Sequence, residues 1–184
     1  MKIHPESNSQ AGQESFVLAM TGDKRNGVYV EIGASDAKIG SNTFVLETKF
    51  DWTGVSLEID KKRCNDFNAK RRNICISADA VKFDYMLFFD ENNFPQKFDY
   101  LQLDIEPARN TFRALLKFPL RKYKPFVITF EHDKYVNKFN WSIQVLAFLF
   151  LFLHGYKRVK ANVTPSELGQ EKNSFEDWYI KKNY

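Results

Sequence analysis

The feature that most constrains the fold is the alternation of short apolar runs with amphipathic stretches along the 184 residues. Short apolar runs bounded by turn-forming residues are typical of strands, whereas apolar residues spaced three or four positions apart are typical of helices. Strands that alternate with helices form a sheet that helices cover on both faces. The pattern therefore predicts an α/β fold in a single domain over residues 1–184, with residues 1–9 as a flexible N-terminus.

The predicted sheet is mostly parallel and seven-stranded, with an antiparallel edge strand, because its last two strands are expected to pair antiparallel at an edge. The strands are predicted at residues 28–32, 55–59, 74–77, 98–105, 125–130, 156–163 and 178–182. Helices are predicted at residues 10–20, from Ser41 or Asn42 to about 49, and at 61–72, 108–118 and 140–153, while residues 81–89 are interpreted as a poorly defined helix or loop.

Cysteine content and the N-terminal sequence limit the class of protein. The sequence has two cysteines, Cys64 and Cys75, which are too few for a disulfide framework and lack the paired spacing of a zinc site. Residues 1–10 are polar and contain no apolar segment of the kind found in signal peptides. These features predict a cytoplasmic protein with reduced thiols.

The longest apolar run, Val145–Leu153, has nine residues, which is less than half of what a bilayer span needs. The run therefore predicts a buried helix and no membrane span. A role at a membrane surface stays open, because the bulky Phe148, Phe150 and Phe152 are also compatible with contact to lipid.

The segment Val28–Asp36 reads Val-Tyr-Val-Glu-Ile-Gly-Ala-Ser-Asp and ends the first predicted strand with Glu31 and Gly33. Open α/β sheets bind ligands at the carboxyl ends of their strands. Gly33 would let the backbone approach a ligand, and Glu31 could accept hydrogen bonds from an ammonium group. A Gly-x-Gly-x-x-Gly pattern is missing, so a nicotinamide cofactor is disfavoured. This segment alone is equally compatible with a glycine turn that ends a strand and binds no ligand.

Acidic residues also end the next two predicted strands. Glu58 follows Gly33 by 25 residues, and an acid at this position can accept both hydroxyls of an adenosine ribose. Asp79 and Ala80 end the third strand, where a carboxylate can bind the adenine amino group and a backbone N–H can reach a ring nitrogen. Each residue alone is a weak signal, because acids are common at the start of loops.

Two further polar clusters, Asp104-Ile105-Glu106 and Glu131-His132-Asp133, end the fourth and fifth predicted strands. They could supply a general base for an alcohol substrate or bind a divalent cation. No metal site is predicted, because no tight ligand spacing is visible. His132 is equally compatible with a loop histidine that is hydrogen-bonded to the backbone.

The helix predicted at residues 61–72 is basic, which is more typical of a solvated face than of a nucleic-acid site. The net charge of +4 does not require a polyanionic partner. An RNA substrate remains the second choice, with phosphate contacts from this helix and from Lys117, Arg121, Lys122 and Lys124. No known RNA-binding module is evident in the sequence.

In these motifs the chain resembles the FkbM family of S-adenosylmethionine-dependent methyltransferases. The resemblance covers most of the chain. Its motifs are 9–14 (Ser-Gln-Ala-Gly-Gln-Glu), 30–36, 41–43 (Ser-Asn-Thr), 52–55 (Trp-Thr-Gly-Val), Glu58, 104–107 (Asp-Ile-Glu-Pro) and 129–132 (Thr-Phe-Glu-His). Ala37 and Pro107 stand where the family usually has glycine. Pro107 fixes φ and removes a backbone N–H at the turn that is expected to lie beside the substrate that accepts the methyl group.

The resemblance implies a Rossmann-like class I methyltransferase fold, S-adenosyl-L-methionine as cofactor with S-adenosyl-L-homocysteine as product, and O-methylation of a small molecule or sugar. It implies that Glu31, Gly33 and Ala34 hold the methionine end of the cofactor. The full cofactor-binding set is expected to be Glu31, Gly33, Ala34, Ser35, Asp36, Asn42, Glu58, Ile59, Asp79, Ala80 and Asp104, and the catalytic candidates are Asp104, Glu106, Glu131 and His132. RNA methylation, or cofactor binding without turnover, are the alternatives.

Overall fold

The structure, a computed structural model, describes residues 4–137, 139–165, 174–182 and 184. Within this part of the chain, seven strands form one sheet in the order β3-β2-β1-β4-β5-β7-β6. The strands are β1 (Val28–Ile32), β2 (Thr53–Glu58), β3 (Ile74–Ser77), β4 (Lys97–Leu103), β5 (Lys124–Glu131), β6 (Tyr156–Val163) and β7 (Glu176–Lys181). The helices are α1 (Gln13–Thr21), α2 (Phe44–Phe50), α3 (Lys61–Lys70), α4 (Tyr85–Glu91), α5 (Ala108–Lys117) and α6 (Asn140–Leu153).

The strand directions confirm the α/β prediction and refine the position of the antiparallel strand. Strands β1 to β5 run parallel to one another, and β7 pairs antiparallel with both β5 and β6. The antiparallel strand is thus β7, one position inside the sheet, and the edge strand β6 points the same way as β5. Chain order reverses between β1 and β4, which creates a switch point where open sheets bind ligands.

The alternation of side chains along the central strands supplies a core on each face of the sheet. Val30 and Ile32 of β1 pack into a cluster with side chains of α4, α5 and α6. Tyr29 points to the opposite face and packs with side chains of α1 and α2. Phe67 of α3 is buried in a smaller cluster beside the loop that follows β1. Helices therefore cover both faces, as the sequence predicts.

Side-chain caps define the starts of two helices. Asp60 accepts hydrogen bonds from the backbone N–H groups of Lys62 and Arg63 at the start of α3, and Asp84 accepts one from Leu87 at the start of α4. Residues 85–91 are therefore helical, where the sequence left helix and loop open. Helix α2 begins at Phe44, and its N-cap is Thr43, one or two residues after the predicted caps Ser41 and Asn42; Thr43 makes no side-chain cap.

Residues 4–9, part of the segment expected to be flexible, contact the rest of the described chain. The backbone N–H of His4 donates to Ser15 Oγ at 2.8 Å, and Ser7 Oγ donates to Glu14 Oε2 at 2.9 Å. Ser9 forms a parallel bridge with Gly40. Residues 1–3 lie outside the described part of the chain. The contacts bring this segment beside the loop that follows β1.

Helix α6 is buried on one side only, so the prediction of a buried helix is wrong for its outer side. Ala147 and Leu151 are fully buried, whereas Leu149, Phe152 and Leu153 are 48%, 54% and 81% exposed. The apolar run misled the prediction because apolar residues also occupy the outward positions. Among the described residues, no helix is long and apolar enough to cross a membrane.

Candidate functional site

A cleft of about 880 Å³ lies at the carboxyl ends of β1, β2, β3 and β4, at the switch point of the sheet. Most of the predicted site residues line it. They are Glu31, Gly33, Ala34, Ser35, Asn42, Glu58, Ile59, Asp79, Ala80, Asp104, Glu106 and Glu131. Two predicted residues, Asp36 and His132, do not line the cleft.

Gly33 is required by the chain itself and not only by a ligand. Its φ of +94° lies in the region that side-chain-bearing residues rarely adopt. A Cβ at this position would also lie 1.7 Å from the carbonyl oxygen of Asp104. Gly33 therefore allows the end of β1 to pack against the end of β4, a reason that its sequence motif does not reveal.

Glu31 is buried at the base of the cleft and is bound by neighbouring side chains. Its carboxylate accepts hydrogen bonds from Thr43 Oγ1 at 3.0 Å and from Ser56 Oγ at 2.6 Å. Burial raises the pKa of Glu31, and the positive charge of Arg71 counteracts this shift. Because both oxygens already have partners, Glu31 acts first as a link between β2 and the loop that follows β1.

Glu58 connects the carboxyl ends of β1 and β2 at the cleft wall. Its Oε2 accepts a hydrogen bond from the backbone N–H of Ser35 at 2.9 Å, and its Oε1 accepts one from Asp60 at 2.8 Å. Each carboxylate oxygen can accept one more hydrogen bond. The neighbouring Ile59 is 72% exposed and offers an apolar surface beside this carboxylate.

Asp79 and Ala80 form the wall beyond β3. Asp79 Oδ1 accepts a hydrogen bond from the backbone N–H of Val81 at 3.0 Å, and Oδ2 lies 3.2 Å from Lys82 Nζ. These two contacts lower the pKa of Asp79, with the backbone hydrogen bond as the larger cause. The side chain is therefore a fixed, charged acceptor at the edge of the cleft.

Asn42 supplies a polar group with an unsatisfied acceptor. The residue is 7% exposed and lines the cleft, and its Oδ1 has no hydrogen-bond partner among the described residues. A buried acceptor without a partner is costly, and a ligand donor would remove that cost.

Four carboxylates line the end of the cleft near β4 and β5: Asp104, Glu106, Glu131 and Asp133. Burial raises the pKa of Asp104 well above its usual range, and the negative charges of Glu176 and Asp133 raise it further. Burial and the charge of Glu106 also raise the pKa of Asp133. In the described part of the chain, no group of three or more His, Cys, Asp or Glu side chains has an arrangement that could hold a metal ion.

His132 and Asp36 correct the predicted site. His132 is fully buried away from the cleft, where its Nε2 lies 3.5 Å from Asp177 Oδ1 and its Nδ1 accepts from the backbone N–H of Lys134 at 3.2 Å. It is thus the backbone-bonded loop histidine that the sequence left open. Asp36 is exposed, and its Oδ1 accepts from the backbone N–H groups of Lys38 and Ile39, so it stabilises a turn.

Several cleft residues were not identified from the sequence. Arg63 was assigned to a solvated face, yet its Nη1 donates to Ser35 Oγ at 3.1 Å beside the cleft. Asn8, Ser9 and Gln10 reach the cleft through the Ser9–Gly40 bridge. Asn110, Asp133, Tyr135, Pro165 and Phe175 also line it. Of these, Asp133 lies in the second polar cluster, and Ser9 and Gln10 lie in the first motif of the resemblance. The others reach the cleft through tertiary contacts.

The fold and the position of the cleft define the class of architecture, the Rossmann-like fold of class I methyltransferases. An O-methyltransferase from Bacillus cereus in complex with SAH is 14% identical over 98% of this chain and 84% of its own, with a TM-score of 0.61. The N-methyltransferase NodS from Bradyrhizobium japonicum WM9, in complex with S-adenosyl-L-homocysteine, is 12% identical over 93% and 86%, with a TM-score of 0.56.

A mutant of MtNAS is 15% identical over 91% of this chain, with a TM-score of 0.54, and the match spans only 58% of the MtNAS chain. No model of a protein family matches the sequence, and no curated protein matches it either. At these identities the similarity shows the fold, and the function must be argued from the site.

Proposed function

We propose that residues 1–184 form one S-adenosylmethionine-dependent methyltransferase domain of the FkbM type, an enzyme of the EC 2.1.1 class. The acceptor proposed is a hydroxyl group of a small molecule or sugar. The observation that carries the proposal is the convergence of Glu31, Glu58, Asp79 and Asp104, one from each of four strand ends, on a single cleft. Acidic residues at these ends suit a ligand with ribose hydroxyls and an amino group.

The residues of the cleft fit the cofactor. Glu58 would accept hydrogen bonds from the ribose hydroxyls, and Asp79 with Ala80 would hold the adenine. The unpartnered Oδ1 of Asn42 would accept from the methionine ammonium, near Gly33 and Ala34. Glu31 would position the residues around the methionine end of the cofactor, since Thr43 and Ser56 already donate hydrogen bonds to its oxygens. When bound, S-adenosylmethionine supplies an electrophilic methyl group on its sulfonium sulfur.

Asp104 is the proposed base at the acceptor end. Among the described residues its carboxylate has no hydrogen-bond or ion-pair partner, and its raised pKa makes it a stronger proton acceptor once it is ionised. Asp104 would accept the proton of the acceptor hydroxyl while the methyl carbon exchanges its bond to sulfur for one to the acceptor oxygen, which would leave S-adenosyl-L-homocysteine as the product. Glu106 and Glu131 would orient the acceptor, because positioning contributes much of the rate in such displacements.

Isothermal titration calorimetry with S-adenosyl-L-homocysteine tests the cofactor site. Glu58→Ala is expected to weaken binding at least about tenfold, because it removes a charged acceptor for the ribose. Asp66→Ala, an exposed acid on α3, is the matched control and should leave affinity unchanged. Absence of binding by the wild-type protein, or equal affinity in folded Glu58→Ala, would contradict the proposal.

Methyl transfer is tested with a radiolabelled methyl donor and fractionated acceptor extracts. Asp104→Asn is expected to abolish turnover while S-adenosyl-L-homocysteine still binds. Retained turnover would remove Asp104 from the role of base. Cofactor binding by the wild-type protein without transfer to any acceptor would favour a non-catalytic binding protein.

A nucleic-acid substrate is the second candidate, and the position of Arg63 favours it. Arg63 lies beside the cleft, on the helix that also presents the exposed Lys61 and Lys62. RNA binding that weakens steeply with salt, and weakens further in Arg63→Gln, would support this alternative.

A further inference from the structure

Helix α6 presents a solvent-facing surface made of large apolar side chains. We name as the α6 outer face the residues Trp141, Leu146, Leu149, Phe152 and Leu153, each between 48% and 81% exposed. At about 100° per residue, these positions span an arc of roughly 140°. Within α6, which is described throughout, Ser142 is the polar residue in this arc. The outward side of a helix on a globular protein is normally polar, so this face needs a partner.

Basic residues flank the α6 outer face on both sides. Helix α6 packs between α5 and the edge strand β6, and all three elements lack acidic residues over their full, described lengths. The exposed or partly exposed cations on this side are Arg109, Arg113 and Lys117 on α5 and Arg158 on β6. Lys157 and Lys160 of β6 pair with Ile180 and Trp178 and project from the opposite face of the sheet. The surface therefore joins an apolar centre to a margin of positive charge.

Two cations lie directly on aromatic rings of α6. The guanidinium of Arg158 lies 4.5 Å from the centre of the Phe148 ring, and Lys182 Nζ lies 5.3 Å from the centre of the Phe152 ring. The positive charge is thus in contact with the apolar surface and not merely near it in sequence. Arg158 is also paired with Asp177, so Arg113 of α5 and Lys182 are the better probes of this charge.

We propose that the α6 outer face docks on the surface of an anionic lipid bilayer, with α6 parallel to the membrane plane. Aromatic and leucine side chains would enter the acyl boundary, while the flanking lysines and arginines contact anionic headgroups. A second copy of the chain fits less well, because a two-fold contact through α6 would bring the basic margins of both copies together. Nucleic acid fits less well, because its phosphates would leave the apolar centre in water.

Co-sedimentation with lipid vesicles tests the proposal. The full chain is expected to bind vesicles of phosphatidylcholine and phosphatidylglycerol, and to bind phosphatidylcholine alone much more weakly. Leu149→Ser/Phe152→Ser is expected to weaken binding at least about tenfold, because two inserted apolar side chains are lost. Ile74→Ser, which changes a 57% exposed side chain at the opposite edge of the sheet, should bind like the wild-type protein.

A charge-reversal pair tests the basic margin separately. Arg113→Glu/Lys182→Glu is expected to lose the preference for phosphatidylglycerol. Lys61→Glu/Lys62→Glu makes the same change in net charge on α3 and should keep that preference. Absence of vesicle binding, or equal binding by both charge-reversal pairs, would overturn the proposal. A dimer in sedimentation velocity that Leu149→Ser/Phe152→Ser dissociates would assign the face to a second copy instead.

Discussion

The α-carbon of Gly33 faces the carbonyl oxygen of Asp104 so closely that a Cβ at Gly33 would lie 1.7 Å from that oxygen. The contact joins the ends of β1 and β4 at the switch point of the sheet. It also fixes the backbone beside the proposed base. One residue without a side chain thus sets the relative position of both halves of the cleft.

Gly33→Ala is therefore expected to destabilise the protein by about 3 kcal/mol or more, from a strained positive φ and a backbone clash. Gly22→Ala is the matched control, because Gly22 has φ +64° but a Cβ there would meet no described atom within 4 Å, and we expect a loss of about 1 kcal/mol. Urea unfolding measures both values. Equal losses in the two variants would show that the Asp104 contact is unimportant.

Arg71 forms the central ion pair beneath the cleft. Its guanidinium lies 2.8 Å from Glu47 Oε2, and both side chains are almost fully buried. Arg71→Met should cost about 3–5 kcal/mol, because it leaves a buried carboxylate without its cation. Arg25→Met breaks the exposed pair of Arg25 with Asp51 and should cost under about 1 kcal/mol. Thermal and urea unfolding of both variants check the difference.

The buried Glu176 predicts a pH-dependent stability. Burial raises its pKa to about 7, so the folded protein keeps a proton that the unfolded chain loses above about pH 4.5. The part of the free energy of unfolding that depends on protonation of Glu176 is fully present below pH 4.5 and is lost as the pH rises through 7. This loss amounts to at most about 3 kcal/mol. Glu176→Gln should therefore gain stability relative to the wild-type protein between pH 5 and pH 8.

The control for this pH effect is Glu91→Gln, which changes an exposed residue at the end of α4. Because the side chain is exposed in the folded protein, this substitution should change the free energy of unfolding by under about 0.5 kcal/mol. A stability difference for Glu176→Gln that is constant over the same pH range would mean that this carboxyl titrates normally in the folded state.

The same substitution should change the pH profile of the proposed reaction. The rate is expected to rise with pH as Asp104 loses its proton, with a midpoint above the usual carboxyl range. Glu176 is the largest of the negative charges that raise the pKa of Asp104, so Glu176→Gln should move the midpoint to lower pH. Asp66→Asn, far from these groups on α3, should leave it unchanged. An unmoved midpoint in Glu176→Gln would show that another group limits the profile.

Most of the fold follows from the sequence, because hydrophobic periodicity directly reflects which side of a strand or helix is buried. The bounds of β1, β3, α6 and β6 agree with the prediction. Errors occur at helix starts such as α2, where Ser41 and Asn42 resemble caps and the helix begins only at Phe44. Local cap chemistry is compatible with several start positions, and packing selects one of them.

For the candidate site, the sequence by itself determined which acids end the parallel strands, because strand ends in such a sheet meet at one edge. The tertiary structure decided which side chains face the cleft. His132 and Asp133 are adjacent in sequence, yet His132 is buried against Asp177 while Asp133 lines the cleft. The tertiary structure also determined that the outer side of α6 is exposed. A local pattern specifies the period of burial, but only the packing of distant elements determines what covers each surface.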